Sequence, residues 1–193
     1  WGVDETLDTL ARTRDFKLIV VGIDNGDDKR IHELSAWDNA KYGKGEVRQY
    51  MAFIVDVVKP YVDGHFRTKP DRSHTAIMGS SLGGLISHYA IYQYPQIFSK
   101  VGILSPAYWY APAVFEFTAA RSLSTDARIY FYAGGKEDEG MLPNFNRMTS
   151  LVLSQSASQK NIAISIDPSA QHNETAWRKE FPRTVSWLFR LPD

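Results

Sequence analysis

The sequence predicts a doubly wound α/β domain with a mostly parallel sheet. Three observations carry that prediction. Short apolar runs rich in β-branched and aromatic residues alternate with longer stretches of helical period. The runs are apolar nearly throughout rather than at every second residue, as in strands buried on both faces. A serine, acids and a histidine follow the runs, and the carboxyl ends of strands are where such sheets hold ligands.

The first run is Phe16–Ile23, bounded by Asp15 and Asp24. Next, Tyr50, Phe53, Ile54, Val57, Val58 and Tyr61 recur at i, i+3, i+4, i+7, i+8 and i+11, one apolar stripe of a helix. Thr75–Met78 is the second run, with an apolar helical segment, Leu85–Tyr94, behind it. Val101–Leu104 and Arg128–Ala133 are the third and fourth, the latter followed by helical Met141–Ser154. Ile162–Ile166 is the fifth, and a closing helix over Thr175–Phe189 should turn Trp177, Phe181, Val185 and Leu188 inward. Strand alternating with helix implies right-handed βαβ units with helices on both faces of the sheet.

The chain of 193 residues is the size of one domain, 1–193, with one substantial core. Hydrophobic residues at 44% and charged residues at 23% are ordinary globular proportions and argue against a disordered chain. Lys+Arg and Asp+Glu both number 22, so no basic field exists to attract nucleic acid. The absence of cysteine removes disulfides, thiolate metal sites and a thiol nucleophile, and leaves the compartment open. No apolar run approaches the roughly 20 residues of a membrane span. Asp4, Glu5 and Asp8 stand where a secretory leader would be basic and then apolar.

Gly79-Ser80-Ser81-Leu82-Gly83 fits G-x-S-x-G, a pattern that small turn residues produce easily. Its setting, between a strand and an apolar helix, is that of a nucleophile elbow. Ser81 would stand clear of the sheet above a helix N-terminus, with the Leu82 N–H as oxyanion donor. A serine hydroxyl needs a base to take its proton, most often a histidine oriented by an acid. Glu137 and Asp138 follow the fourth run, and His172 follows the fifth. The order serine, acid, histidine is that of an α/β-hydrolase. Glu137 is the preferred acid, at the end of the Gly134-Gly135-Lys136 turn, with Asp138 as the alternate.

The other histidines compete poorly. His32 and His65 precede the serine in polar contexts, His74 begins the elbow strand at its far end, and His88 lies two turns into the following helix. Asp24-Asn25-Gly26-Asp27-Asp28 lacks the spacing and the closing glutamate of a calcium loop, so no metal is expected. Tyr108, Trp109 and Tyr110 follow the third run. Three consecutive aromatics cannot all face the core, and Trp109 is the candidate wall of an acyl or alcohol pocket.

At these residues the sequence resembles the putative-esterase family of α/β-hydrolases, which includes trilactone siderophore esterases, S-formylglutathione hydrolases, feruloyl esterases and mycolyltransferases. The stretches carrying the resemblance are residues 74–84 around the elbow, Tyr94-Pro95 with Phe98, and Ser105-Pro106-Ala107-Tyr108-Trp109. Residues 171–177, then Phe181-Pro182 and Trp187-Leu188-Phe189, complete it. The resemblance implies Ser81 as nucleophile, His172 as base and Glu137 as acid. It also implies an earlier strand, preceding the segment that looks like Trp1–Leu7, whose loop gives the second oxyanion N–H. The chain would then be an N-terminally truncated form of that fold.

The expected activity is a serine carboxylesterase acting on a small-molecule ester through an acyl-enzyme, with no cofactor. An acyltransferase with the same nucleophile and a non-catalytic relic of the fold are the rivals. In the family's sheet the absent strand lies between Leu18–Ile23 and Thr75–Met78. Its neighbours would expose unpaired backbone, which predicts association, with a homodimer as the default. The alternative is direct pairing of Leu18–Ile23 with Thr75–Met78, with the Asp24-Asn25-Gly26 turn as second oxyanion donor.

Overall fold

The computed structural model describes residues 1–191. At its centre is a parallel sheet of four strands in the order β1-β2-β3-β4: Ala76–Ser80 (β1), Lys100–Leu104 (β2), Arg128–Gly134 (β3) and Ile162–Asp167 (β4). These are the last four runs of the sequence reading. Among the described residues the α-helices are Val3–Arg14 (α1), Arg30–Glu33 (α2), Val47–Ala52 (α3), Lys59–His65 (α4), Leu82–Gln93 (α5), Ala113–Ala119 (α6), Met141–Gln155 (α7) and Glu174–Phe189 (α8).

The register explains the near-continuous apolar runs. Ile77 sits opposite Val101, Val101 opposite Ile129, and Ile103 opposite Phe131, all on one face. That face packs against α5, α6 and α7. The strand order is sequential, so successive crossovers of one hand lie on the same side. On the other face, Leu104, Tyr130 and Tyr132 meet Trp177 and Leu188 of α8. With both faces covered, both residues of each pleat repeat must be apolar, and Val101, Ile103, Leu104, Ile129 and Phe131 are fully buried.

The inward residues of α8 are those expected: Trp177, Phe181, Val185 and Leu188 are all buried. Helix α1 was not anticipated. Its Val3, Leu7 and Leu10 pack with Phe181 and Val185, and its terminal charges, Asp4 and Glu5 first, Arg12 and Arg14 last, suit the helix dipole.

Two expectations fail. Phe16–Ile23 forms no strand, and Ile19, Val20 and Val21 remain 47%, 45% and 44% exposed. β1 pairs with β2 alone, so the proposed direct pairing of Leu18–Ile23 with β1 does not form either. A strand is held by its ladder neighbours, and no strand among the described residues stands beside this run. The second failure concerns the apolar stripe over Tyr50–Tyr61. The helix is there, as α3, a π-helical stretch Phe53–Val58, and α4. Its buried residues, however, are Val47, Met51 and Ile54, while Phe53, Val57 and Tyr61 are exposed. The wider π turn shifts the facing of the residues beyond it, and no element among the described residues covers that side. No helix of the described residues is long and apolar enough to cross a membrane.

Candidate active site

Ser81 is the single residue between β1 and α5. Its backbone, at φ 58° and ψ −122°, lies where L-residues are seldom found. Such a conformation costs about 1–3 kcal/mol and persists only if its surroundings enforce it. Here the Ser81 N–H donates to the Leu104 carbonyl at 3.0 Å, and the Ser81 carbonyl accepts from Ala107 N–H at 3.0 Å and Leu85 N–H at 3.1 Å. The turn is tight enough that a Cβ on Gly79 would sit 2.5 Å from the backbone of Gly83, so only glycine fits. The Leu82 N–H is the first of α5 and has no partner within the helix.

Glu137 and His172 meet at the ends of β3 and β4. His172 Nδ1 lies 2.6 Å from Glu137 Oε2. The Glu137 side chain is 1% exposed and that of His172 31%. The other carboxylate oxygen, Oε1, accepts from the Gly134 N–H at 2.5 Å and the Ser105 hydroxyl at 2.6 Å. Asp138 is exposed, and the contact it contributes is through its carbonyl, which accepts from Met141 N–H at 2.8 Å.

The two strand-end loops are laced together. Gly135 N–H donates to the Asp167 carbonyl at 2.7 Å and Lys136 N–H to the Ala170 carbonyl at 2.9 Å. A Cβ on Gly134 would stand 2.5 Å from the Ala170 carbonyl oxygen, so the loops approach this closely only because that side chain is missing. Asp167 braces the far loop, accepting from Ser169 N–H at 2.9 Å and from Lys179 Nζ at 2.9 Å. These contacts hold the Asp167 carboxyl well below its usual range. Among the described residues no hydrogen bond joins the Ser81 hydroxyl to His172.

The remaining candidates scatter. Trp109 is half exposed while its neighbours Tyr108 and Tyr110 are buried, as three consecutive aromatics required. His32 bonds the Lys44 carbonyl, His65 the Tyr61 carbonyl and His74 the Asp71 carboxylate, all on exposed surface. His88 is fully buried between Tyr108 and Thr118, and burial pushes it down to about 3. In the Asp24-Asn25-Gly26 turn the Gly26 N–H is spent on Glu33 Oε2 at 2.8 Å.

The sequence profile of the putative esterase family matches residues 1–188. The chain belongs to that family. Known proteins are similar to it in sequence or in structure. The uncharacterized protein YbbA of Bacillus subtilis is 24% identical over 186 residues, covering 90% of this chain and 74% of its own. A ferulic acid esterase superposes with a TM-score of 0.74 at 15% identity, covering 98% of this chain and 77% of its own. The enterobactin esterase FES of Shigella flexneri superposes with a TM-score of 0.66 at 20% identity over 87% of this chain, which spans only 42% of that longer protein.

In this member of the putative esterase family, two contributors to the site were not singled out from sequence. In the sequence Ser105 starts a strand-end segment and Trp177 is an inward residue of the last helix; both lie in stretches that carry the family resemblance, and neither has a role of its own there. Both touch the Glu137–His172 pair. The one available signal was position: Ser105 follows the strand next to the elbow strand.

Proposed function

We propose that this chain hydrolyses a small-molecule carboxylic ester through a Ser81 acyl-enzyme. The observation carrying this reading is the 2.6 Å contact between Glu137 and His172 at the strand ends, together with a serine held in a strained strand-to-helix turn. With its proton on Nδ1 facing Glu137, the His172 imidazole has a bare Nε2 to accept the Ser81 proton. Ser81 Oγ then attacks the ester carbonyl. The carbonyl oxygen, now negative, is stabilised by the Leu82 N–H at the positive end of the 12-residue helix α5. Collapse expels the alcohol, which takes the proton from Nε2. Water repeats the cycle on the acyl-enzyme, releasing the acid and restoring Ser81. Glu137 keeps the imidazole in the useful tautomer and stabilises the imidazolium.

Trp109, half exposed on the loop after β2, serves as an apolar wall for the acyl or alcohol part. The names of the similar structures, a ferulic acid esterase and an enterobactin esterase, support esters as the substrate class. The test is labelling with a fluorophosphonate probe, read by mass spectrometry, then turnover of a chromogenic ester series of increasing acyl length. The expected result is one adduct, on Ser81, and release of the chromophore. An intact, folded chain that takes no label is instead a non-catalytic relic of the fold. Added alcohols that divert most acyl groups into new esters would make it an acyltransferase.

A further inference from the structure

We infer that Ser105 and Trp177 are positioning residues for Glu137, joined in a one-directional hydrogen-bond relay that presents the carboxylate to His172. The inference rests on the triad reading above and adds two members to it. Trp177 Nε1 donates to Ser105 Oγ at 2.9 Å, and Ser105 Oγ donates to Glu137 Oε1 at 2.6 Å. The direction is forced. An indole N–H only donates and an ionised carboxylate only accepts, so the hydroxyl between them must accept from the first and donate to the second. The Gly134 N–H fills the same oxygen at 2.5 Å. Oε1 is then occupied, the charged carboxylate is held in one rotamer, and Oε2 is left for His172 Nδ1 at 2.6 Å.

The relay is buried. Ser105 is fully buried, Trp177 is 5% exposed, and the Glu137 side chain is 1% exposed. In so buried a setting the hydrogen bonds of the hydroxyl orient as well as stabilise.

Backbone strain points the same way. Ser105 has φ 44°, a left-handed value that glycine adopts without cost. The side chain that glycine would lack is the one that reaches Glu137. A strained serine at this position is explained by its hydroxyl rather than by its backbone.

Trp177 acts a second time. Its ring stands edge-on to the His172 imidazole, with centroids 5.0 Å apart at 87°. Asn173 caps α8 through its side chain, which accepts from Ala176 N–H at 3.0 Å, so His172 and Trp177 flank one fixed helix start. One residue of α8 thus orients the acid through a hydroxyl and meets the imidazole in a T-shaped ring contact.

The experiment compares wild type with Ser105→Ala, Ser105→Gly, Trp177→Phe, Glu137→Gln, Ser81→Ala and the double variant S105A/E137Q on one chromogenic ester. Thermal melts are run on each. Ser105→Ala, Ser105→Gly and Trp177→Phe should each lower kcat by about ten- to a hundredfold, the range of a charge-assisted hydrogen bond, with KM little changed. Ser105→Gly should melt above Ser105→Ala, since only glycine relieves φ 44°, while the two lose kcat alike, an outcome that a loss of activity through destabilisation would not give. The double variant should be no slower than Glu137→Gln alone, because the relay acts only through that carboxylate. Wild-type kcat in the Ser105 variants overturns the inference while leaving the triad intact, as does a double variant in which the two losses multiply. Wild-type kcat in Trp177→Phe removes the indole from the relay. Undiminished turnover by Ser81→Ala or Glu137→Gln overturns the functional reading itself, and the relay with it.

Discussion

Glu137 Oε2 reaches His172 Nδ1 at 2.6 Å, although 35 residues of chain separate them. The contact follows from adjacent strands β3 and β4 ending together, Gly134 lying opposite Asp167 in the register. Asp138, one residue on, points away into solvent.

That geometry separates the two acids experimentally. Glu137→Gln is expected to lower kcat by about 10²–10⁴-fold, since a comparable acid-to-amide change in a serine protease reaches the upper figure. Asp138→Asn should leave turnover near wild type. The check is steady-state kinetics of both purified variants. A large loss in Asp138→Asn with Glu137→Gln unaffected would transfer the role to Asp138.

Ser81 combines chemistry with strain, and the two can be pulled apart. Ser81→Ala and Ser81→Gly should both lose hydrolysis by several orders of magnitude, about 10⁶-fold in the best-studied hydrolase. Ser81→Gly should melt at a higher temperature than Ser81→Ala, because glycine accepts φ 58° freely and alanine does not. Retention of more than a small residue of the wild-type rate in either variant rules out Ser81 as nucleophile.

His88 should make stability depend on pH. The Thr118 hydroxyl donates to the Val114 carbonyl at 2.7 Å, so it accepts from His88 Nε2–H at 2.9 Å, and Nδ1 accepts from the Tyr108 hydroxyl at 2.8 Å. Burial pushes this neutral imidazole from 6.5 down to about 3. Between those values the unfolded chain binds a proton that the folded chain excludes. The stability is whole above pH 6.5 and falls with acidification, by about 2 kcal/mol at pH 5. Urea unfolding of the wild type at pH 7.5 and 5.0 should show this loss, and His88→Gln should show a smaller one. Parallel losses in both would place the pH dependence elsewhere.

Among the described residues the outer edge of β1 carries no strand, and Ile19, Val20, Val21, Phe53, Val57, Tyr61 and Phe66 are exposed. Open edges and apolar surface of this extent drive self-association. Light scattering on the 193-residue chain should give a mass above the 21.9 kDa of one copy, with a dimer as the default. Val20→Lys should reduce that mass. A clean monomer at micromolar concentration refutes the expectation.

The parallel sheet was legible because its inner strands are apolar on both faces, a pattern that survives without coordinates. The Tyr130-Phe131-Tyr132 run of β3 is buried on alternating sides and reads as a continuous block. The strand ends beside which Ser81, Glu137 and His172 lie were legible because apolar runs mark the strands, and ligands in such folds collect there. What the sequence could not determine depends on neighbours distant in the chain. Phe16–Ile23 has strand composition but no strand beside it, and composition cannot supply a ladder partner. The stripe Tyr50–Tyr61 has helical period, but whether its apolar face is covered depends on what packs there. Between Glu137, the preferred acid, and Asp138, the alternate, local sequence gives only a preference; the Glu137 carboxylate meets His172 where Gly135 and Lys136 are laced to the loop that carries it. The Trp177–Ser105–Glu137 relay joins three separate elements, with 72 residues between its indole and its hydroxyl. Local pattern records the period and polarity of each segment. Only the tertiary structure, by bringing strand ends and α8 together in a buried interior, decided which polar groups face one another.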